Sequence, residues 1–168
     1  MPHRLRGYSL LELIITLSLI FILAMAAVPA FQGLSQRHRN QALLHQLHTS
    51  LQSARADAVI RRRPLELCAN NTQKGCGSDW ASGWLIISPT EHQVLSINQP
   101  PHNLPLRWSG FGQRIRFLSD GSSPASNGRF YLCHKGELAW QLILSRQGRA
   151  RVATEQENLD DVTRCQAP

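Results

Sequence analysis

Two hydrophobic patterns follow one another along the first third of the chain. The run LIITLSLIFILAMAAV, residues 13–28, carries no charge, and with its flanks it reaches the roughly 17–25 residues that a bilayer-spanning helix needs. Beyond Pro29 the apolar positions become periodic. Leu43, Leu44, Leu47, Leu51, Ala54, Ala58 and Val59 recur at helical spacing and predict one buried stripe. Both stretches read as one helix over residues 8–62, interrupted at Pro29, where the missing amide should kink or locally melt it. Pro64 ends the helix.

After Pro64 the period changes. Short apolar or alternating runs bounded by Gly, Pro, Asn and Ser predict strands in PLELCA, GWLIIS, QVLSIN, LPLRW, QRIRFL, RFYLCH, AWQLILS and ARVA. The segments NNTQKGCGSD, NQPPHN and SDGSSPASNG carry turn chemistry and predict loops. The expected class is therefore α+β: a long kinked N-terminal helix, apolar in its first half (8–30) and amphipathic in its second (31–63), packed on an antiparallel β-rich head (64–168).

A chain of 168 residues suits one compact domain with an appended element. His3, Arg4 and Arg6 precede the apolar run, which keeps the start cytoplasmic and sends the rest across the membrane. The small-residue pattern AMA leaves an ordinary cleaved signal peptide as the alternative. All four cysteines lie past the apolar run, as suits an oxidising compartment. Three pairings are open to them; Cys68–Cys76, closing a short loop, and Cys133–Cys165, tying down the tail, is the expected one. No C-x-x-C pair supports zinc, although His134 adjoins Cys133.

Glu12 needs an explanation, because a charge at the centre of a membrane helix costs roughly 2.5–3.5 kcal/mol on insertion scales. The residues GYSLLE, positions 7–12, resemble the type III signal of type IV pilins and type II secretion pseudopilins. That signal is a short basic leader ending in Gly, then an aromatic residue, and a Glu at the fifth mature position. The resemblance implies that a prepilin peptidase removes residues 1–7, cutting between Gly7 and Tyr8 and methylating the new amino terminus. It departs from the usual pattern only in having Tyr8 where Phe is commoner. Glu12 is then the fifth mature residue, an assembly residue whose implied partner is the α-amino group of a neighbouring subunit. A carboxylate and an ammonium offset each other's desolvation only when close. The competing view leaves Glu12 at the interface, reaching for headgroups.

Past the helix the chain resembles the GspH and FimT branch of minor pilins, which have a pilin-like fold with a β-rich head. QSARADAVIRRRPLELC matches a recurrent pattern there, with Asp57 where Glu is usual. Gly148, Arg149, Ala150 and Arg151 match the G-R-x-R motif that, in FimT-like members, is associated with binding DNA during natural transformation. The resemblance implies an inner-membrane protein with one crossing and a periplasmic head, later part of an extracellular pilus. Its implied partners are double-stranded DNA and other major and minor pilins.

The motif makes physical sense. Gly148 supplies a turn conformation closed to most residues. If Ala150 continues as a strand, Arg149 and Arg151 project to one side about 6.5–7 Å apart and engage one phosphate backbone, with Arg146 joining them. The charge supports a polyanion partner: the net charge is +7, falling to about +5 once Arg4 and Arg6 leave with the leader. Eight Lys or Arg residues against two acids fall between Arg107 and Arg151, and the acidic EQENLDD follows. Such a surface would also meet acidic subunits or surface polymers.

Other features point elsewhere or nowhere. Arg61, Arg62 and Arg63 close the helix, where cations suit its dipole. Trp80, Trp84, Trp108 and Trp140 read as core or half-buried packing. His38, His45 and His48 lie on the helix, and a solvated or packing role outweighs metal. No G-x-S-x-G, H-E-x-x-H or P-loop appears, so neither catalytic residues nor a cofactor is expected. The alternative function is a structural or priming pilin, or a type II secretion pseudopilin, that does not touch DNA.

Overall fold

The computed structural model describes residues 9–71, 75–91, 93–100 and 104–166. Two units make up the chain, Met1–Arg39 and Asn40–Pro168, and helix α1, Leu10–Arg61, contributes to both.

In the first unit Ser9 starts the helix. Its Oγ accepts from Leu11 N at 3.3 Å and its carbonyl accepts from Leu13 N at 3.1 Å, so two amides of the first turn are satisfied. The large apolar side chains between Leu10 and Leu34 are exposed. Thr16 and Ser18 turn inward, each donating its hydroxyl to the carbonyl three residues back at 2.9 Å. That local bond hides the polar atom within the helix. Helical assignment runs without a break through Pro29, so the expected local melting is absent. A proline forfeits one ladder bond, and the neighbouring bonds hold the turn.

In the second unit α1 buries Leu43, Leu44, Leu47, Leu51, Ala54 and Ala58, as its periodicity predicts. Val59 does not join them and is 45 % exposed. With Ala58 already on the buried row 47, 51, 54, 58, the next residue is rotated about 100° off it. The helix ends in a Schellman arrangement: Arg63 N donates to Ala58 O (3.1 Å) and Arg62 N to Val59 O (3.2 Å), with Arg62 at φ +51°. Arginine thus occupies a left-handed position that glycine usually fills.

Among the described residues nine strands follow: β1 Leu65–Asn71, β2 Gly75–Gly77, β3 Trp84–Ser88, β4 Gln93–Asn98, β5 Leu106–Gly110, β6 Arg114–Phe117, β7 Gly128–His134, β8 Glu137–Leu144 and β9 Ala150–Val152. Every pairing is antiparallel. One sheet runs β2-β1-β3-β4, with β6 also pairing β1, and the other runs β5-β7-β8-β9. Lys135 and Gly136, at φ +53° and +82°, form the two-residue turn between β7 and β8, the twist that tight hairpins favour.

Each of the eight expected strands is present. Besides two short 3-10 turns, Trp80–Ser82 and Val162–Cys165, one strand and one α-helix were not expected. Strand β2 forms inside a segment rich in turn residues, where Asn70 pairs with Cys76 and the Cys68–Cys76 disulfide holds the backbones together. Helix α2, Glu155–Asp160, occupies the acidic tail. The second disulfide, Cys133–Cys165, ties that tail to β7, so both expected pairings occur. Helix α1 and both sheets share a core that includes Leu47, Leu67, Trp84, Phe117, Phe130 and Leu142. Trp80, Trp84 and Trp140 are buried there and Trp108 packs against Phe130 with ring centroids 4.6 Å apart, in line with a packing role for the tryptophans.

Candidate functional site

The turn between β8 and β9 is built around Gly148. Its φ is +73°, and a Cβ there would lie 2.1 Å from Gly121 O, well inside any allowed contact. Only glycine fits, because the turn presses against the connection between β6 and β7. From the other side, Arg55 Nε of α1 donates to the same Gly121 carbonyl at 2.9 Å. The two sequence patterns, one ending the helix and one preceding β9, therefore meet on a single backbone oxygen.

Around this point the four expected site residues take different roles. Gly148 is the buried pivot. Arg149 is exposed, and its amide donates to Ser145 Oγ at 3.3 Å; no carboxylate pairs with its guanidinium among the described residues. Arg146 is exposed too, and its Nε donates to the neutral Asn127 Oδ1 at 3.4 Å. Arg151 is engaged: its two terminal nitrogens donate to Glu157 Oε1 and Oε2 at 2.7 and 2.8 Å. A strand carrying two equally available arginines is thus not what forms. Strand β9 begins at Ala150, so Arg149 belongs to the turn, and the tail helix covers Arg151 with an acid.

Glu157 serves two partners at once. It sits three residues into α2, where its carboxylate accepts from Thr154 N at 2.8 Å while Thr154 Oγ1 accepts from Glu157 N at 3.3 Å, a full capping box. The Arg151 hydrogen bonds first, and the Thr154 amide second, lower the Glu157 carboxyl to a pKa of about 2, and the same pair raises that of Arg151. The pattern T-x-x-E was legible in TEQE and would have found the helix.

Neutralisation extends beyond this pair. Glu66 of β1 accepts from Arg114 at 3.4 Å and lies 3.7 Å from Arg116. Asp161 pairs with Arg129 and with Arg164. The basic excess between Arg107 and Arg151 is real along the chain but is offset in space by acids from outside that segment, leaving Arg107, Lys135, Arg146 and Arg149 without a paired acid among the described residues. Gln141, fully buried, joins Arg129 to α2 by donating to Glu157 O and Asn158 Oδ1. A groove of about 640 Å³ runs beside the turn, lined by Leu51, Gln52, Arg55, Val59, Arg149 and Ala150 among others.

His48 Nε2 is bonded to Ala150 O at 3.3 Å, so it braces β9 against the helix. Among the described residues no cluster of side chains suited to a metal ion is present. Glu12 lies in the first turn of α1, three residues after the Ser9 cap, where the helix dipole favours an acid. Gly7 and Tyr8, the expected cleavage and methylation site, lie outside the described residues. Among the described residues no helix is long and apolar enough to cross a membrane.

A helix whose second half fills one side of a two-sheet antiparallel head, with an exposed apolar first half, defines a pilin-like subunit. The chain belongs to the GspH family: the family described as Type II transport protein GspH matches residues 43–148, from the buried helical stripe to the pivot glycine. Among solved structures, the fold is similar to the type IV minor pilin FimU of Pseudomonas aeruginosa in two crystal forms. One is 22 % identical with a TM-score of 0.58, covering 72 % of this chain and 92 % of that one. The other is 21 % identical with a TM-score of 0.55, covering 69 % and 94 %. No curated protein sequence matches the chain significantly.

Proposed function

We propose that this minor pilin holds extracellular double-stranded DNA on the Gly148 turn for uptake in natural transformation. The observation that carries the proposal is a pair of exposed guanidiniums, Arg146 and Arg149, on a turn immobilised by Gly148 and free of paired carboxylates among the described residues. Two such groups on one rigid turn supply phosphate contacts without sequence reading. Arg151 adds a third contact only when a phosphate displaces Glu157. Binding is therefore weakly sequence-specific and salt-sensitive.

Delivery to that role follows the pilin pattern. Residues 1–7 are removed by a prepilin peptidase at Gly7, Tyr8 is methylated, and residues 8–30 cross the inner membrane once with the head in the periplasm. Glu12 then pairs with the amino terminus of another pilin as the subunit enters the filament. The exposed apolar face over residues 10–34 supports this, since it requires a lipid or protein cover.

The test is a fluorescence-anisotropy titration of the full-length chain in detergent with duplex DNA across a range of salt. Arg149→Gln should flatten the slope of log affinity against log salt by about 0.9, one phosphate contact. An unchanged slope would remove the DNA assignment and leave the priming or pseudopilin role, which the helix alone supports.

A further inference from the structure

The turn joining β5 to β6 presents an aromatic ring that the core does not use. Phe111 is 68 % exposed, whereas Phe117 and Phe130 are fully buried. A single exposed apolar side chain is ordinary by itself. What distinguishes Phe111 is the company its backbone keeps.

Phe111 N donates to Asn127 O at 2.9 Å, and the side chain of the same Asn127 accepts from Arg146 Nε at 3.4 Å. The Arg146 carbonyl in turn accepts from Ser123 N at 2.8 Å. Three connections, the successive β5–β6 and β6–β7 and the more distant β8–β9, are thereby joined by these hydrogen bonds. The Phe111 turn is also fixed from within: Trp108 Nε1 donates to Gly112 O at 2.9 Å, and Gly112 holds φ +74°. The acid of the β6–β7 connection, Asp120, accepts from the hydroxyl and amide of Ser122 at 2.7 and 2.8 Å.

We propose that Phe111 is the base-contacting residue of this surface, stacking on a nucleobase while Arg146 and Arg149 hold the adjoining phosphates. The inference rests on the DNA reading above and adds to it a preference for sites where a base is unpaired. An aromatic face offers any base a stacking partner without reading its identity, and arginines beside it track the backbone. A ring held on a pinned turn loses little freedom when it stacks.

The test compares two fluorescent duplexes, one fully paired and one with a central unpaired bulge, binding to the full-length protein in detergent. Wild type should bind the bulged duplex several-fold more tightly. Phe111→Ala should lose about tenfold on the bulged duplex with no change in salt slope, because no charge is removed. Phe111→Trp should keep the preference, which separates stacking from folding. Equal binding of both duplexes by wild type and Phe111→Ala, with Arg149→Gln still flattening the salt slope, would overturn the Phe111 assignment and leave the DNA reading intact. No DNA binding by wild type at low salt would overturn both. A Phe111→Ala protein that keeps the bulge preference but no longer enters pili would assign the ring to a subunit contact and overturn the inference.

Discussion

Replacing Glu157 with Gln tests how the tail controls the basic turn. The substitution removes the charge facing Arg151 but retains an acceptor for Thr154 N, and a Thr-x-x-Gln pair still forms a capping box. Helix α2 should therefore persist while Arg151 loses its ionic partner. On the proposed DNA reading, Arg149 of the wild type contributes a full phosphate contact, whereas Arg151 must first leave two hydrogen bonds of 2.7 and 2.8 Å. In Glu157→Gln the second guanidinium is available, so the salt slope should steepen by about 0.9. Over a change from about 50 to about 200 mM salt, that added slope makes the affinity fall by a further factor of about 3.5. Affinity at low salt should rise, since a carboxylate no longer competes with the phosphate.

The assay is anisotropy on one duplex at five or six salt concentrations, with circular dichroism confirming that the helical content is kept. Arg151→Gln in the wild-type background should change the slope less than Arg149→Gln does, and more once Glu157 is already Gln. If Glu157→Gln leaves slope and affinity where they were, or if Arg151→Gln costs the wild type as much as Arg149→Gln, the pairing does not limit Arg151 and the reasoning fails.

Three further outcomes follow from the same geometry. The Glu157 carboxyl ionises at about 2 in the folded chain against an ordinary 4.5; a folded value below the unfolded one stabilises above the ordinary range and is lost as pH falls through about 2. Carboxyl chemical shifts should show Glu157 titrating there, with α2 melting over the same interval. Gly148→Ala would set a Cβ 2.1 Å from Gly121 O at φ +73° and should cost about 3 kcal/mol, read as a lower thermal midpoint. Cys165→Ser opens a loop with a sequence separation of 32 and should cost about 3–4 kcal/mol, against about 2.5 kcal/mol for Cys76→Ser, which opens a separation of 8. Urea unfolding of the two variants would compare them.

The parts of the fold readable beforehand are those governed by local period. Leu43 through Ala58 follow a helical repeat and are buried by it, and the eight expected strands alternate or run apolar as strands do. Val59 fails because a stripe has a finite width that a count of apolar residues does not register. Strand β2 fails because its cause is a covalent bond and a neighbour, Cys76 and Asn70, and not its own propensity. For the site, Gly148 was legible from its type, but its reason, the close approach of Gly121 O, lies in residues 27 positions away. The fate of Arg151 was half legible. TEQE announces a helix start, yet nothing local says that Glu157 also faces Arg151 across the β9–α2 corner. Phe111 was invisible as a candidate because an isolated aromatic next to two glycines reads as turn or core until its exposure is known.

The inward-turned hydroxyls of Thr16 and Ser18 have a consequence for movement. Each donates its proton to a carbonyl of its own helix, so over residues 10–25 the side-chain donors are already satisfied wherever the segment lies. Passing such a surface from one oily neighbour to another breaks no side-chain hydrogen bond and should be close to isoenergetic. Under the delivery proposed above, Glu12, the one charged side chain of residues 10–25, gives the transfer a direction: the helix stops in the environment that meets its charge.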